Sequence, residues 1–557
     1  MWRYLLRSCL LGLVGSFFAF AQFVSNEPKT APLISASTAS DSITEAGQLF
    51  RTGKLDAAGE KYQKIIHDTP NSPDGYAGLT RVYLKQKNLQ QAFETISTGL
   101  EVADSAPVHV ALGEVYFRQG KIQEAEREWV NVINSGNASA RAYLGLARVT
   151  ASVSMYKRSR TMISKAHELD PNDPDVQKYW MNTLKLPERI KYLEDYLSHE
   201  TNDEAETRAR MQRSLDYMKA RSREPKRKCR LVSKTISTET NLVRLLRDAN
   251  HVRGFGLAVA VNGERSKLLL DTGAGGILID RRLAERAGLN ELSQTRIGGI
   301  GDKGETGGYV ALANSIKIGD LEFQDCAVTV LDKRSVMDED GLIGADVFED
   351  FLVDIDFPKE KLRLEALPKR PDDEPTRPIG LETDKDNPDS PEEQSDNKTA
   401  PAAPAKPVDT GPRDRFIAPE MKSYAQVLRF GHMLLIPTKV GDESRKLFLI
   451  DTGAFSTHIS LNAAREVTKV HDDPRLRVKG LSGSVKNVYT ADKAVLQFGN
   501  LRQPTQDLIT LDLNSMSDRV GIEVSGILGF ATLHVLDIKI DYRDGLVDFI
   551  YKPAPGH

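Results

Sequence analysis

The sequence predicts a multidomain α-plus-β chain: an N-terminal α-solenoid of helical repeats, then two β-rich lobes of similar size. Three observations carry this. Ala58, Ala92 and Ala125 recur at spacings of 34 and 33 residues within helix-like patterning. From about Leu231 the apolar period shifts to two, with glycine and turn signals. Asp-Thr-Gly occurs twice, each time after an apolar run, on either side of a proline-rich stretch. A length of 557 residues fits three or four domains at about 150 residues each.

Composition narrows the function classes. Apolar residues make up 40% and charged residues 27% of the chain, which is globular usage. Lys+Arg is 75 and Asp+Glu is 78, a net charge of −3, so the basic excess that phosphate contacts demand is missing and no nucleic-acid partner is expected. Cys9, Cys229 and Cys326 are too few for a disulfide scaffold or a multi-cysteine metal site. Pairing of the last two is not legible, and the expectation is two unpaired thiols. No apolar run reaches the roughly 18 residues of a membrane-spanning helix.

The elements follow in order. Arg3 and Arg7, the apolar Leu10 to Phe20 and Ala19-Phe20-Ala21 have the layout of a secretory signal peptide, so residues 1–21 are expected to be removed on export. An uncut membrane anchor is the alternative. Cys9 precedes the apolar stretch and does not suit a lipoprotein cysteine. Residues 22–41 are small and polar, a flexible leader. Over 42–175, Tyr76-Ala77-Gly78-Leu79 with Tyr83, Ala111-Leu112-Gly113 with Tyr116, and Tyr143-Leu144-Gly145-Leu146-Ala147 repeat one first-helix pattern. This resembles the tetratricopeptide repeat, a helix–turn–helix unit of about 34 residues that packs closely at small side chains. The resemblance implies a concave surface suited to a protein partner.

Residues 176–230 stay helical in pattern but are highly charged, a capping and connecting segment. Its seven basic residues between Lys219 and Arg230 read as a solvated junction. The lobes span 231–367 and 415–552. Residues 368–414 hold ten prolines among acidic and small polar residues, too polar to form a core, and read as a disordered linker. As a coil it would span roughly 35–40 Å and let the lobes face each other.

The lobes are copies. Leu268-Leu269-Leu270-Asp271-Thr272-Gly273-Ala274 matches Phe448-Leu449-Ile450-Asp451-Thr452-Gly453-Ala454. Later, Gly341-Leu342-Ile343-Gly344 matches Gly526-Ile527-Leu528-Gly529. One Asp-Thr-Gly is weak, but two in matching contexts are not. The arrangement resembles the retropepsin-like aspartic proteases of the bacterial periplasmic or secreted kind, over nearly half the chain. The resemblance implies two small closed β-barrel lobes meeting at one site, with Asp271 and Asp451 as the catalytic pair. Thr272 and Thr452 would support the loops, and Gly273 and Gly453 would make the turns. Two carboxylates about 3 Å apart cannot both ionise, so one shared proton supplies an acid and a base.

Between these signatures, Gly299-Ile300-Gly301 and Gly480-Leu481-Ser482 match the glycine-rich flaps that close over peptide in that family. Gly299 to Gly304 also satisfies G-x-G-x-x-G, but β-like Tyr309-Val310-Ala311-Leu312 comes next where a dinucleotide site needs a helix. One departure lies just after the second signature. Ala345-Asp346 keeps a charged residue there, whereas Phe530-Ala531 does not, which puts lobe contacts of the retroviral type in doubt. His458 is read as a surface or lobe-packing histidine. No cofactor or metal is expected, since neither H-E-x-x-H nor paired cysteines occur.

The expectation is an exported, periplasmic or secreted aspartic endopeptidase that acts on a protein or peptide. Its lobes pair within one chain, and its repeats recruit substrate or a regulator. Two alternatives stand beside it: like lobes pairing between two chains, and a non-catalytic binding scaffold with retired protease lobes.

Overall fold

Eleven helices between Ala36 and Arg223 form the N-terminal part of the computed structural model. The structure describes residues 36–223, 229–248, 251–332, 339–371, 412–441, 445–473, 476–506 and 508–552. The expected signal peptide, most of the leader and nearly all of the proline-rich stretch lie outside the described residues. The first helix, Ala36–Arg51, begins ahead of the expected repeat boundary at residue 42.

The repeat spacing has a packing cause. Large rings from one helix sit on glycines of the next. A Cβ at Gly78 would lie 2.2 Å from the Tyr62 ring, and one at Gly99 would lie 2.7 Å from Tyr76. Trp129 fills the space at two glycines together, 2.5 Å from a Cβ at Gly113 and 2.4 Å from one at Gly145. Ser72, Asn88, Ser139 and Asp173 cap helix starts by accepting backbone N–H groups.

Ion pairs tie these helices to one another. Glu114 takes Arg81 and Arg141, and Asp175 takes Lys85, Lys178 and Arg141. Arg51 reaches across to Asp170, and Gly53 abuts Thr201 and Asn202.

The helices dock on the second lobe. Glu523 N–H donates to Arg118 O at 2.9 Å, Arg118 pairs with Asp518, and Gly120 lies against Leu447. One apolar cluster runs from Val110, Trp129 and Leu146 into Leu435, Leu449 and Ile527 of that lobe. The last helix, Ala205–Arg223, lies against the strand Glu291–Ile297 of the first lobe.

Within the first lobe the strand Thr306–Ile318 pairs with both His251–Val261 and Leu321–Leu331, so the hydrogen-bonded path returns on itself. Among the described residues of the second lobe, the path from Val470–Asp472 to Leu501–Thr505 stays open. The expectation of two equivalent closed barrels is therefore not met there.

A six-stranded sheet that the sequence did not announce joins the lobes. Phe351–Asp356 of the first lobe pairs antiparallel with Leu536–Asp541 of the second. Val353, Ile355, Ile538 and Ile540 face the shared core, where Phe255, Phe357 and Phe530 stack across the lobes at 5.6–6.0 Å. The linker's two feet meet on the strand turn beyond. Arg370 and the N–H of Phe416 both bond Asp544 Oδ1, and Arg415 Nε donates to Asp544 O at 2.6 Å. The two described ends of the proline-rich stretch thus meet at Asp544.

The other face of this sheet carries buried carboxyls. Burial, then a hydrogen bond with Asp537, pushes Asp354 up to about 6. Burial, then the nearby Asp544 charge, pushes Asp541 up to about 6. The folded chain keeps these protons where the unfolded chain has released them, so their effect is a loss of stability as pH rises from about 4 to about 6. Asp356 opposes them: burial acts to raise it, but hydrogen bonds from Lys552 and Lys359 hold it low. Asp354→Asn is expected to flatten the fall in melting temperature between pH 4 and pH 7. A pH dependence identical to the parent's would reject this account.

Cys229 and Cys326 form a disulfide, which overturns the expectation of free thiols. Cysteine count alone could not show it, because the partners are 97 residues apart and meet only when Arg230–Leu231 pairs with Leu321–Leu331.

Candidate active site

Each Asp-Thr-Gly loop grows from a buried strand. Glu264–Asp271 pairs parallel with Gly341–Gly344, with Gly344 opposite Asp271. Arg445–Ile450 pairs parallel with Gly526–Leu528, and Asp451 N–H donates to Leu528 O at 3.0 Å. Alternation places Leu269 and Leu449, two residues before each aspartate, on the side that bears the carboxyls. Leu342 and Ile527 lie opposite them.

The loops are tied to each other by a reciprocal clasp. Thr272 N–H donates to Thr452 Oγ1 at 3.1 Å, and Thr452 N–H to Thr272 Oγ1 at 3.0 Å. Each hydroxyl then donates onward at 2.8 Å, Thr272 to Ile450 O and Thr452 to Leu270 O. Both threonines are buried. This brings the aspartates together over the opposite glycines. A Cβ at Gly453 would lie 2.3 Å from Asp271 Cγ, and one at Gly273 would lie 2.6 Å from Asp451 Cγ. Only glycine fits at these two turns.

The carboxyls are not equivalent. Asp271 Oδ1 accepts from Gly273 N–H at 2.8 Å. Asp451 Oδ1 accepts from Gly453 and Ala454 N–H, both at 2.9 Å. Burial, then the charge of Asp451, holds Asp271 well above the usual carboxylate range. Burial also raises Asp451, but its backbone donors and a hydrogen bond from Asp271 favour its anion. Such a pair holds one proton between two acids.

The residues expected to form flaps meet one another across the lobes. Ser482 N–H donates to Ile300 O at 3.0 Å, Lys303 N–H to Ser482 O at 2.9 Å, and Gly299 N–H to Ser482 Oγ at 3.0 Å. Gly301 adopts φ +131°, and a Cβ there would meet Ser482 backbone at 2.4 Å. A Cβ at Gly480 would lie 2.3 Å from Ile300 O. The tips cross: Leu481 packs with Leu269, Leu342 and Ala274 of the first lobe, while Ile300 joins the apolar cluster of the second. Arg213 of the last helix pairs with Glu305 at the base of the first flap.

His458 is buried in the strand His458–Ser460, with burial pushing it down to about 4. It packs within its lobe rather than facing the pair. Sequence reasoning noted Asp346 only as a charged residue after the second signature and missed His432; both flank the Asp271 loop. A lone histidine after a glycine carries no signal until the lobes close on it. Among the described residues no His, Cys, Asp and Glu cluster has the form of a metal site.

This geometry is that of an aspartyl-protease domain, and residues 257–347 match the family model described as aspartyl protease. The chain is similar to DNA damage-inducible protein 1 of Chaetomium globosum, 33% identical over 113 residues, covering 20% of this chain and 24% of that protein. It is also similar to UBA domain-containing protein Mud1 of Schizosaccharomyces pombe, 31% identical over 123 residues, covering 21% of this chain and 36% of that protein. The chain thus spans about a quarter to a third of these relatives. A solved structure described as "Functional Characterization of Pseudomonas Aeruginosa pilF" covers 32% of this chain and 83% of that chain, at 16% identity and a TM-score of 0.22.

Proposed function

We propose that the chain is an exported aspartic endopeptidase in which Asp271 and Asp451 act as one unit. The observation that carries this reading is the mutual seating of each carboxyl on the other loop's glycine. A water held between the carboxyls gives a proton to Asp451 as its oxygen bonds the peptide carbon. Asp271 gives its proton to the carbonyl oxygen. The tetrahedral adduct collapses when the C–N bond breaks, the nitrogen takes the proton from Asp451, and the hydroxyl proton returns to Asp271. Because both acids are shifted upward, the singly protonated pair persists to higher pH than ordinary carboxyls would allow.

Export is supported by the basic–apolar–Ala-x-Ala start and by the Cys229–Cys326 disulfide, which suits an oxidising compartment. The tetratricopeptide-like helices are proposed to recruit a protein substrate or regulator.

Asp271→Asn and Asp451→Asn, each assayed on a denatured protein across pH, are both expected to lose at least about 1,000-fold in kcat/KM. Loss in only one variant would favour like lobes pairing between chains. Activity retained in both would reject the acid mechanism.

A further inference from the structure

The two catalytic loops are held by different chemistry. In the second lobe the supports are neutral. Thr457 and Thr532 share a hydroxyl hydrogen bond at 2.6 Å, Gly529 N–H donates to Thr457 Oγ1 at 3.1 Å, and Phe530 N–H donates to Ala454 O at 2.7 Å. In the first lobe the supports can titrate. Gly276 N–H donates to Asp346 Oδ1 at 2.9 Å, and the position equivalent to Asp346 in the second lobe is Ala531.

His432 supplies the other side. It sits in the two-residue turn Gly431-His432 between the strands Leu428–Phe430 and Met433–Val440, where Gly431 adopts φ +63°. The turn belongs to the second lobe, but the imidazole lies against the first. A Cβ at Gly275 would meet His432 Nδ1 at 2.6 Å and Cγ at 2.9 Å. Four residues after Asp451, at the place matching Gly275, the second lobe carries Phe455 instead. The imidazole therefore occupies the space that a side chain at 275 would take, and it also reaches the backbone of Gly273.

Resting on the proposed protease reading, we propose that His432 is a positioning residue of the catalytic centre. Its ring crosses the lobe boundary, replaces the missing side chain of Gly275, and holds the Asp271 loop against Asp451. The charged groups facing it are Asp346 from the short helix after Gly344, Asp451 from the pair, Arg429 from its own hairpin, and Arg519 from the helix Asn514–Val520. Burial lowers its proton affinity below that of an ordinary imidazole, while Asp346 opposes this. A positive ring there favours the anion of Asp451 and opposes double protonation of the pair. It thereby extends the acid limb of activity to lower pH.

The test uses the full chain with two variants. His432→Phe keeps the bulk and removes the polar atoms, and is expected to lower kcat by about 10- to 100-fold with little change in KM. His432→Gln keeps a hydrogen-bonding group without a titratable charge. It is expected to retain more activity, with the acid limb of kcat moved to higher pH. Parent-like kcat and acid limb in both variants would overturn the proposal. A second readout does not need activity: the NMR titration of His432, assigned by its loss in His432→Gln, is expected to shift to lower pH in Asp451→Asn. No shift would overturn the proposal. A shift in a chain that cleaves nothing would reject the protease reading and keep the coupling.

Discussion

Gly453→Ala is expected to abolish peptide-bond cleavage with both aspartates still in place. The added carbon would lie 2.3 Å from Asp271 Cγ and 2.4 Å from Asp271 Oδ2. Carbon atoms in contact normally sit about 3.5–4 Å apart, so something must move by more than 1 Å. The loop cannot yield easily, because Thr452 beside it is clasped to Thr272 and Ile450–Leu528 pairing holds the strand behind it. The carboxyl of Asp271 must turn away from Asp451, which separates the acid from the base. A displacement of this size costs at least about 100-fold in rate. The mirror substitution Gly273→Ala meets Asp451 Cγ at 2.6 Å and is expected to behave alike. Gly307→Ala, on the flap strand with no heavy atom within 4 Å of its Cβ, serves as the control. Measured kcat/KM near the parent value in Gly453→Ala would mean the carboxyls do not sit where this geometry puts them.

What could be read in the sequence was what each copy carries locally. Asp271 and Asp451 stood out because an apolar run, an acid, a hydroxyl and a glycine recur in the same order. Gly113, Gly145 and Trp129 recur with the repeat because the ring needs both glycines. What stayed hidden depends on two distant segments meeting. Val353–Asp356 is visibly a strand, but nothing in it names Ile538 and Ile540 as its partners. The shared anchor at Asp544 is invisible in a linker whose composition speaks only of polarity. The crossed flap tips show the same limit. Glycines at 299, 301 and 480 announce mobility, whereas the structure uses them to bring one flap's backbone onto the other's. Duplication also misled in one respect. Matching motifs suggested matching lobes, and although the Asp346/Ala531 difference was visible, it was not visible that Gly275 faces His432 where Phe455 stands in the copy.

The clasp itself yields a second large effect, on stability and rate together. Thr452→Val keeps the shape of the side chain and removes Oγ1. Thr272 N–H, buried with its residue 1% exposed, then loses its acceptor, and Leu270 O loses a donor. An unpaired buried group costs about 1–3 kcal/mol, so the variant should lose roughly 2–5 kcal/mol in denaturant unfolding. Thr272→Val strands Thr452 N–H and Ile450 O in the same way, and the reciprocal geometry predicts a similar loss. The chain should still fold, because the six-stranded sheet and the Phe255–Phe357–Phe530 stack join the lobes independently of the clasp. Damage therefore concentrates at the aspartates, where the loops lose their mutual register, and kcat should fall at least about tenfold. Thr452→Ser restores the hydroxyl and should recover most of both quantities. If Thr452→Val and Thr452→Ser prove equally stable and equally active, the cross-lobe hydroxyls do not hold the pair together, and the sheet alone aligns the carboxyls.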